Sequence, residues 1–147
     1  MSESIIIIDF GSQVTKLIAR RIREFGVFSQ IVPFNKVTRK LLSNNSIKGI
    51  IFSGGPKSVH EKNSPKIDDY IYELEIPILG ICYGLQLIAK LYGGKIKNSK
   101  KKREFGRAFL YYKNYSLLTK KYLNKKRSVW MSHEDAVVKL PKNFKVI

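Results

Sequence analysis

The sequence is sparing with the residues that usually declare a chemistry. Its 147 residues hold one cysteine, Cys82, two histidines, His60 and His133, and one tryptophan. One cysteine cannot close an internal disulfide, so nothing points to an oxidising compartment, and a cytoplasmic protein is expected. No apolar run approaches the roughly 20 residues that span a bilayer. Met1-Ser2-Glu3-Ser4 lacks the basic start of a signal peptide. No membrane association is expected. Acidic residues are few, 11 against 28 Lys and Arg, and the net charge is +17. Such a charge attracts phosphate backbones. The densest runs are Lys95 to Arg103 and Lys120 to Arg127. Yet most of these residues are Lys, the less specific reader of phosphates and bases. Ile and Asn are frequent too, a bias that genome base composition produces without any partner. A solvated basic surface is expected, with no specific nucleic-acid site.

What is present is an ordinary globular composition, 44% apolar and 27% charged, on a length that suits one domain with a sizeable core. Ile5 to Ile8 is a continuous apolar run, as in a strand buried on both faces. Val14, Leu17, Ile18, Ile22 and Phe25 then recur at helical spacing, with Gly26 at the helix C-cap. Phe28 to Val32 reads as a second strand, closed by Pro33, and Val37 to Leu42 as a short helix. Gly49 to Phe52 reads as a third strand, Ile67 to Leu74 as a helix, and Ile78 to Ile81 as a fourth strand. A helix follows to Tyr92, stopped by Gly93-Gly94. Strand and helix alternate, which predicts an α/β fold: a doubly wound, mostly parallel sheet with helices on both faces. After Gly94 the pattern changes. Phe105 to Tyr112 and Ser128 to Leu140 read as strands, with a helix or loop over Leu117 to Leu123. Phe144 to Ile147 looks like the opening of another strand.

In a doubly wound sheet, sites form at the carboxyl ends of the strands. Three loops are placed there: Asp9 to Gln13, Ser53 to Ser58 and Cys82 to Gln86. The last is the most informative. In Gly80-Ile81-Cys82-Tyr83-Gly84 the only cysteine sits between two glycines, after a strand and before a helix. That is the layout of a nucleophile elbow. The helix start favours a thiolate over a thiol. Ser53-Gly54-Gly55-Pro56 is a glycine-rich turn whose backbone N–H groups can receive an oxyanion, with the Tyr83 N–H as second donor. Each piece also has a plainer reading. A lone cysteine is usually an inert small hydrophobe, and Gly54-Gly55-Pro56 alone signals only a turn. Ser132-His133-Glu134-Asp135 reads equally as a polar turn between two strands, and His60 as a surface residue.

Taken together, the pieces resemble a known family. Gly80-Ile81-Cys82-Tyr83-Gly84-Leu85-Gln86 is similar to the nucleophile motif of the class I, triad-type glutamine amidotransferases, whose fold is flavodoxin-like. Ser53-Gly54-Gly55-Pro56-Lys57-Ser58-Val59 is similar to their oxyanion loop. Ile8 to Gln13, Leu17 to Glu24, Arg103-Glu104-Phe105-Gly106 and Val129-Trp130-Met131-Ser132-His133 resemble the GMP synthase branch of that family. The resemblance implies that Cys82 attacks the side-chain amide of L-glutamine and that the Gly55 and Tyr83 N–H groups hold the oxyanion. It implies that Gly54, Gln86, Ser132 and His133 bind the substrate. It implies no cofactor or metal on this chain. ATP and Mg2+ would serve a synthetase domain that receives the ammonia and converts XMP to GMP, in an enzyme that is a homodimer.

Three departures qualify it. The family's base is a His in a His-Pro-Glu-type motif downstream of the Met-Ser-His segment, and the chain has no such motif. No Ser-Gly-Gly-Val-Asp-Ser-type pyrophosphate loop occurs either. Glu134 stands where the family commonly has Gly. Residues 1–147 are therefore expected to be a partial amidotransferase domain, incomplete at its C-terminal end. The synthetase and dimerisation domains would be absent. Two alternatives stay open: another amidotransferase chain, of the anthranilate synthase or CTP synthase type, and a basic flavodoxin-like binding module.

Overall fold

The Ile5 to Ile8 run forms the middle of β1 (Ser4–Asp9), and Ile6, Ile7 and Ile8 are all but inaccessible there. A strand this apolar on both faces needs cover on both, and the chain supplies it. In the computed structural model, which describes residues 3–98, 104–121 and 126–147, the chain divides into two units, Met1–Ile88 and Ala89–Ile147.

The first unit continues with α1 (Thr15–Glu24), β2 (Phe28–Pro33), α2 (Arg39–Leu42), β3 (Ile47–Phe52) and β4 (Ile78–Gly80). The four strands form one sheet in the order β2-β1-β3-β4, and all three pairings are parallel. Successive residues of a strand face opposite sides. On one side Ile7 and Ile51 pack with Ala19 of α1, flanked by Ile5, Ile18, Ile22 and Ile31. On the other, Phe52 meets Tyr72 edge-on at 6.1 Å. Tyr72 belongs to a 3-10 segment, Asp69–Glu73. The sheet order puts its switch point between β1 and β3, which run outward to opposite edges, so the loops after these strands open onto one crevice.

α1 ends as its sequence demands. Gly26 takes φ +76°, and its N–H donates to the Arg23 carbonyl at 2.9 Å. α3 (Tyr83–Leu91) follows β4 and stops at Gly93, φ +80°. The second unit is built of antiparallel pairs: β5 (Lys95–Asn98) with β8 (Asp135–Lys139), and β6 (Glu104–Leu110) with β7 (Arg127–His133).

Several boundaries differ from the sequence reading. The Val37 to Leu42 helix covers only Arg39–Leu42, because Thr38 caps it, its hydroxyl accepting from the Leu41 N–H at 3.2 Å. A separate 3-10 turn, Phe34–Lys36, precedes it. The third strand begins two residues before Gly49, at Ile47. Ile67 to Leu74 is no α-helix. Only the 3-10 segment forms, without a side-chain cap, and Glu75 at φ +53° and Pro77 close it off. Isolated helices so short are marginal in any case. Ser128 to Leu140 splits at Glu134 into two strands with different partners. Lys95–Asn98 was invisible because only Ile96 of its four residues is buried, so no alternation shows. Phe144 to Ile147 is irregular, not a strand, after Pro141 and Asn143 at φ +73°. Residues 117–121 form a turn. Tyr122 and Leu123, Arg103, and much of both basic runs lie outside the described residues.

Candidate functional site

Cys82 sits between β4 and α3 with φ +49°, a left-handed backbone that few side-chain-bearing residues adopt. Such strain persists only where the surroundings impose it, and it clusters at functional positions. Both flanking glycines are imposed sterically. A Cβ on Gly80 would lie 2.7 Å from Leu85 backbone atoms, and one on Gly84 2.5 Å from the Phe52 carbonyl oxygen. The Gly84 N–H donates to the carbonyls of Ile81, at 3.0 Å, and Ser53, at 3.1 Å. The elbow is thus tied to the loop after β3.

That loop is held from beneath. Ser53 is fully buried, and its N–H donates to the Ile8 carbonyl at 3.0 Å. Its hydroxyl accepts from the Phe10 N–H at 3.0 Å and donates to the Gly54 carbonyl at 2.9 Å. Gly54 faces the cysteine: a Cβ built there would be 3.6 Å from Cys82 Cβ and 3.6 Å from Ser12 Oγ. Gly55 abuts Phe10, whose carbonyl oxygen would meet a Cβ at 2.7 Å. The N–H groups of Gly55 and Tyr83 have no acceptor among the described residues.

Tyr83 does more than offer its N–H. Its ring is buried against Phe10 at 5.4 Å, and its hydroxyl donates to the Pro65 carbonyl. Burial pushes this phenol above its usual range; the Ser64 hydrogen bond acts against that and the Glu61 charge with it. The first turn of α3 is therefore anchored from below. Phe10 stacks also on Phe34 and meets Phe52 edge-on, so one aromatic cluster supports the β1, β3 and β4 loops together.

The β1 loop is closed by Asp9. Its Oδ1 accepts from the Gly11 N–H at 2.9 Å, the Ser12 N–H at 3.3 Å and the Thr15 hydroxyl at 2.8 Å. The sequence reading placed this loop at the site without giving its residues roles. The signal is in the sequence, since an Asp two residues ahead of Gly-Ser and a helix start makes a side-chain-closed turn.

Cys82 is exposed to solvent, yet burial of one flank still pushes its thiol above the ordinary value. The N-terminal end of α3 acts in the opposite direction. Gln86 is buried on α3, its N–H donating to the Cys82 carbonyl at 3.1 Å. The first unit thus brings together Cys82, Tyr83, Gln86 and the Gly54-Gly55 loop. Ser132 and His133 belong to the second unit, at the end of β7, paired with Phe105 and Glu104. Glu134 has no left-handed backbone, so glycine is not required there. His60 is exposed, its N–H donating to the Ser58 hydroxyl at 3.2 Å. In the same turn Glu61 accepts from the Ser58 N–H at 2.8 Å and pairs with Lys57, and both hold its carboxyl below the usual range.

Residues 6–147 match the family model for the class-I glutamine amidotransferases. The GMP synthase (glutamine-hydrolyzing) of Bacillus cytotoxicus is 49% identical over 146 residues, covering 98% of this chain and 28% of its own. That of Fusobacterium nucleatum is 46% identical over 143 residues, covering 97% and 28%. The chain thus spans little more than a quarter of the length of these relatives. Among solved structures, a Thermoplasma acidophilum protein provisionally assigned as part of a GMP synthase superposes with a TM-score of 0.79 at 30% identity. The match covers 99% of this chain and 71% of that one. A glutamine amidotransferase of Thermotoga maritima shares the fold, with a TM-score of 0.74 at 19% identity, covering 97% and 64%.

Proposed function

The chain belongs to the class-I glutamine amidotransferase family, and from that premise we propose that it is the glutamine-binding, nucleophile-bearing part of a GMP synthase. The observation that carries this reading is the strained elbow: Cys82 at φ +49°, between glycines that admit no Cβ, facing Gly54. Cys82 Sγ attacks the side-chain amide carbon of glutamine. The carbonyl oxygen becomes an oxyanion between the Gly55 and Tyr83 N–H groups, both without protein acceptors among the described residues. The C–N bond breaks, and the nitrogen leaves as ammonia with the proton that the thiol gave up. Water then cleaves the glutamyl thioester, releasing glutamate and restoring the thiol. Gly54 and Gln86 would line the substrate, and the family resemblance assigns substrate binding to Ser132 and His133 as well.

The proton relay is what this chain lacks. His60 and His133 are its only histidines, and neither lies in a His-Pro-Glu-type motif. General acid–base assistance contributes roughly 10²–10⁴-fold, so residues 1–147 alone bind glutamine without turning it over. In the whole enzyme a synthetase portion, using ATP and Mg2+, consumes the ammonia in converting XMP to GMP, and the assembly is a cytoplasmic homodimer. The high similarity to GMP synthases supports this assignment over an anthranilate synthase or CTP synthase type.

The test is intact-mass analysis after exposure to a chloroketone analogue of glutamine, from which the thiolate displaces chloride as the C–S bond forms. One adduct on Cys82 is expected, and none on Cys82→Ser. Labelling that persists in Cys82→Ser, or none in either, would sink the proposal.

A further inference from the structure

Ser12, in the β1 loop, comes near the nucleophile across Gly54. A Cβ placed on Gly54 would touch Ser12 Oγ and Cys82 Cβ at the same distance, 3.6 Å, and Ser12 Cβ at 3.8 Å. Ser12 and Cys82 therefore both lie within ordinary contact range of the point where a Gly54 Cβ would stand. The Ser12 hydroxyl is oriented as an acceptor toward its own loop, taking the Val14 N–H at 3.2 Å. Its own O–H proton has no acceptor among the described residues, and it makes no hydrogen bond to the cysteine sulfur. The loop is tied at several points. Asp9 Oδ1 holds the Ser12 N–H, and buried Thr15 shares its one hydroxyl proton between Asp9 Oδ1 at 2.8 Å and the Ser12 carbonyl at 3.2 Å. A half-buried hydroxyl tied into a turn beside a nucleophile, with its donor not used by the protein, has the chemistry of a ligand contact.

We infer that Ser12 is a substrate-binding residue of this site, its hydroxyl donating a hydrogen bond to an oxygen of the bound glutamine. This rests on the proposed glutamine chemistry of Cys82. The plainer role, closing the turn through Val14, uses only the oxygen's lone pair and leaves the O–H proton available to solvent or to a ligand.

The test compares two electrophiles on the 147-residue chain. The chloroketone analogue of glutamine uses the substrate contacts, whereas iodoacetamide uses only the thiolate. Ser12→Ala is expected to slow labelling of Cys82 by the analogue about tenfold, the equivalent of one hydrogen bond to substrate. The iodoacetamide rate stays unchanged, and Ser12→Thr, which keeps a hydroxyl, retains most of the analogue rate. If Ser12→Ala slows both reagents alike, the hydroxyl serves the turn alone. If it slows neither, the contact does not exist. Either result overturns the inference while leaving the cysteine site standing. If the unmodified chain itself shows no preference for the analogue over iodoacetamide, the glutamine reading fails and Ser12 with it.

Discussion

At the scale of single residues, the elbow sets stability against reactivity. A non-glycine residue in the left-handed region costs roughly 1–2 kcal/mol, and Cys82 carries that cost at φ +49°. Replacing it by glycine relieves the strain but adds freedom to the unfolded chain. Replacing it by valine keeps the strain and adds β-branching. Cys82→Gly is therefore expected to melt at least as high as the parent. Cys82→Val is expected to be less stable than Cys82→Gly by about 1 kcal/mol or more in urea titration. The thiol gives a second expectation. Burial raises its pKa, and a thiol with a raised pKa is less ionised at neutral pH. Its alkylation by iodoacetamide should climb with pH through an inflection above that of an ordinary thiol, about 8.5. An inflection below neutrality would mean that the helix end outweighs burial.

At the scale of elements, the site depends on close contact between two turns. Gly84 packs where a Cβ would strike the Phe52 Cβ and carbonyl oxygen, both at 2.5 Å. These belong to a buried strand and cannot give way cheaply. Gly84→Ala should cost about 2–4 kcal/mol, near the upper end of ordinary core substitutions. Gly26→Ala meets open space and should cost only about 1 kcal/mol, for its left-handed φ. Comparison of the two denaturation midpoints checks this. Much of this arrangement was legible in the sequence. The four-isoleucine run, the helical spacing from Val14 to Phe25 and the flanked cysteine each follow from local patterning, and the parallel order follows from their alternation. The rest was hidden for physical reasons. The Asp69–Glu73 segment carries helical spacing but lacks a cap. The Lys95–Asn98 strand has a single buried side chain. The support that Tyr83 gains from Phe10 and Pro65 joins residues far apart in sequence, which no local pattern reports.

At the scale of the whole molecule, the charge and the exposed surface matter most. The β6–β7 register puts Phe105, Arg107 and Phe109 on one face with Ser128, Trp130 and Ser132. Trp130 is 79% exposed and Phe105 61%. Arg107 and Lys126 lie over the Phe109 ring, the Lys126 Nζ at 3.8 Å. A two-stranded ribbon with exposed aromatics is only marginally stable and invites association. Net charge of +17 opposes self-association at low salt, and screening removes that protection. Light scattering of the 147-residue chain should therefore rise with added salt, and Trp130→Ser should reduce it. Scattering that falls with salt would point instead to charge-driven aggregation.

The central claim is that Cys82 belongs to a site built for glutamine. It is tested most directly by substrate protection: the rate at which the chloroketone analogue labels Cys82, measured with L-glutamine or with L-asparagine present. L-glutamine is predicted to slow labelling in a saturable way, while L-asparagine, shorter by one methylene, protects far less. Labelling that L-glutamine leaves unchanged, or that L-asparagine slows equally, would contradict the account.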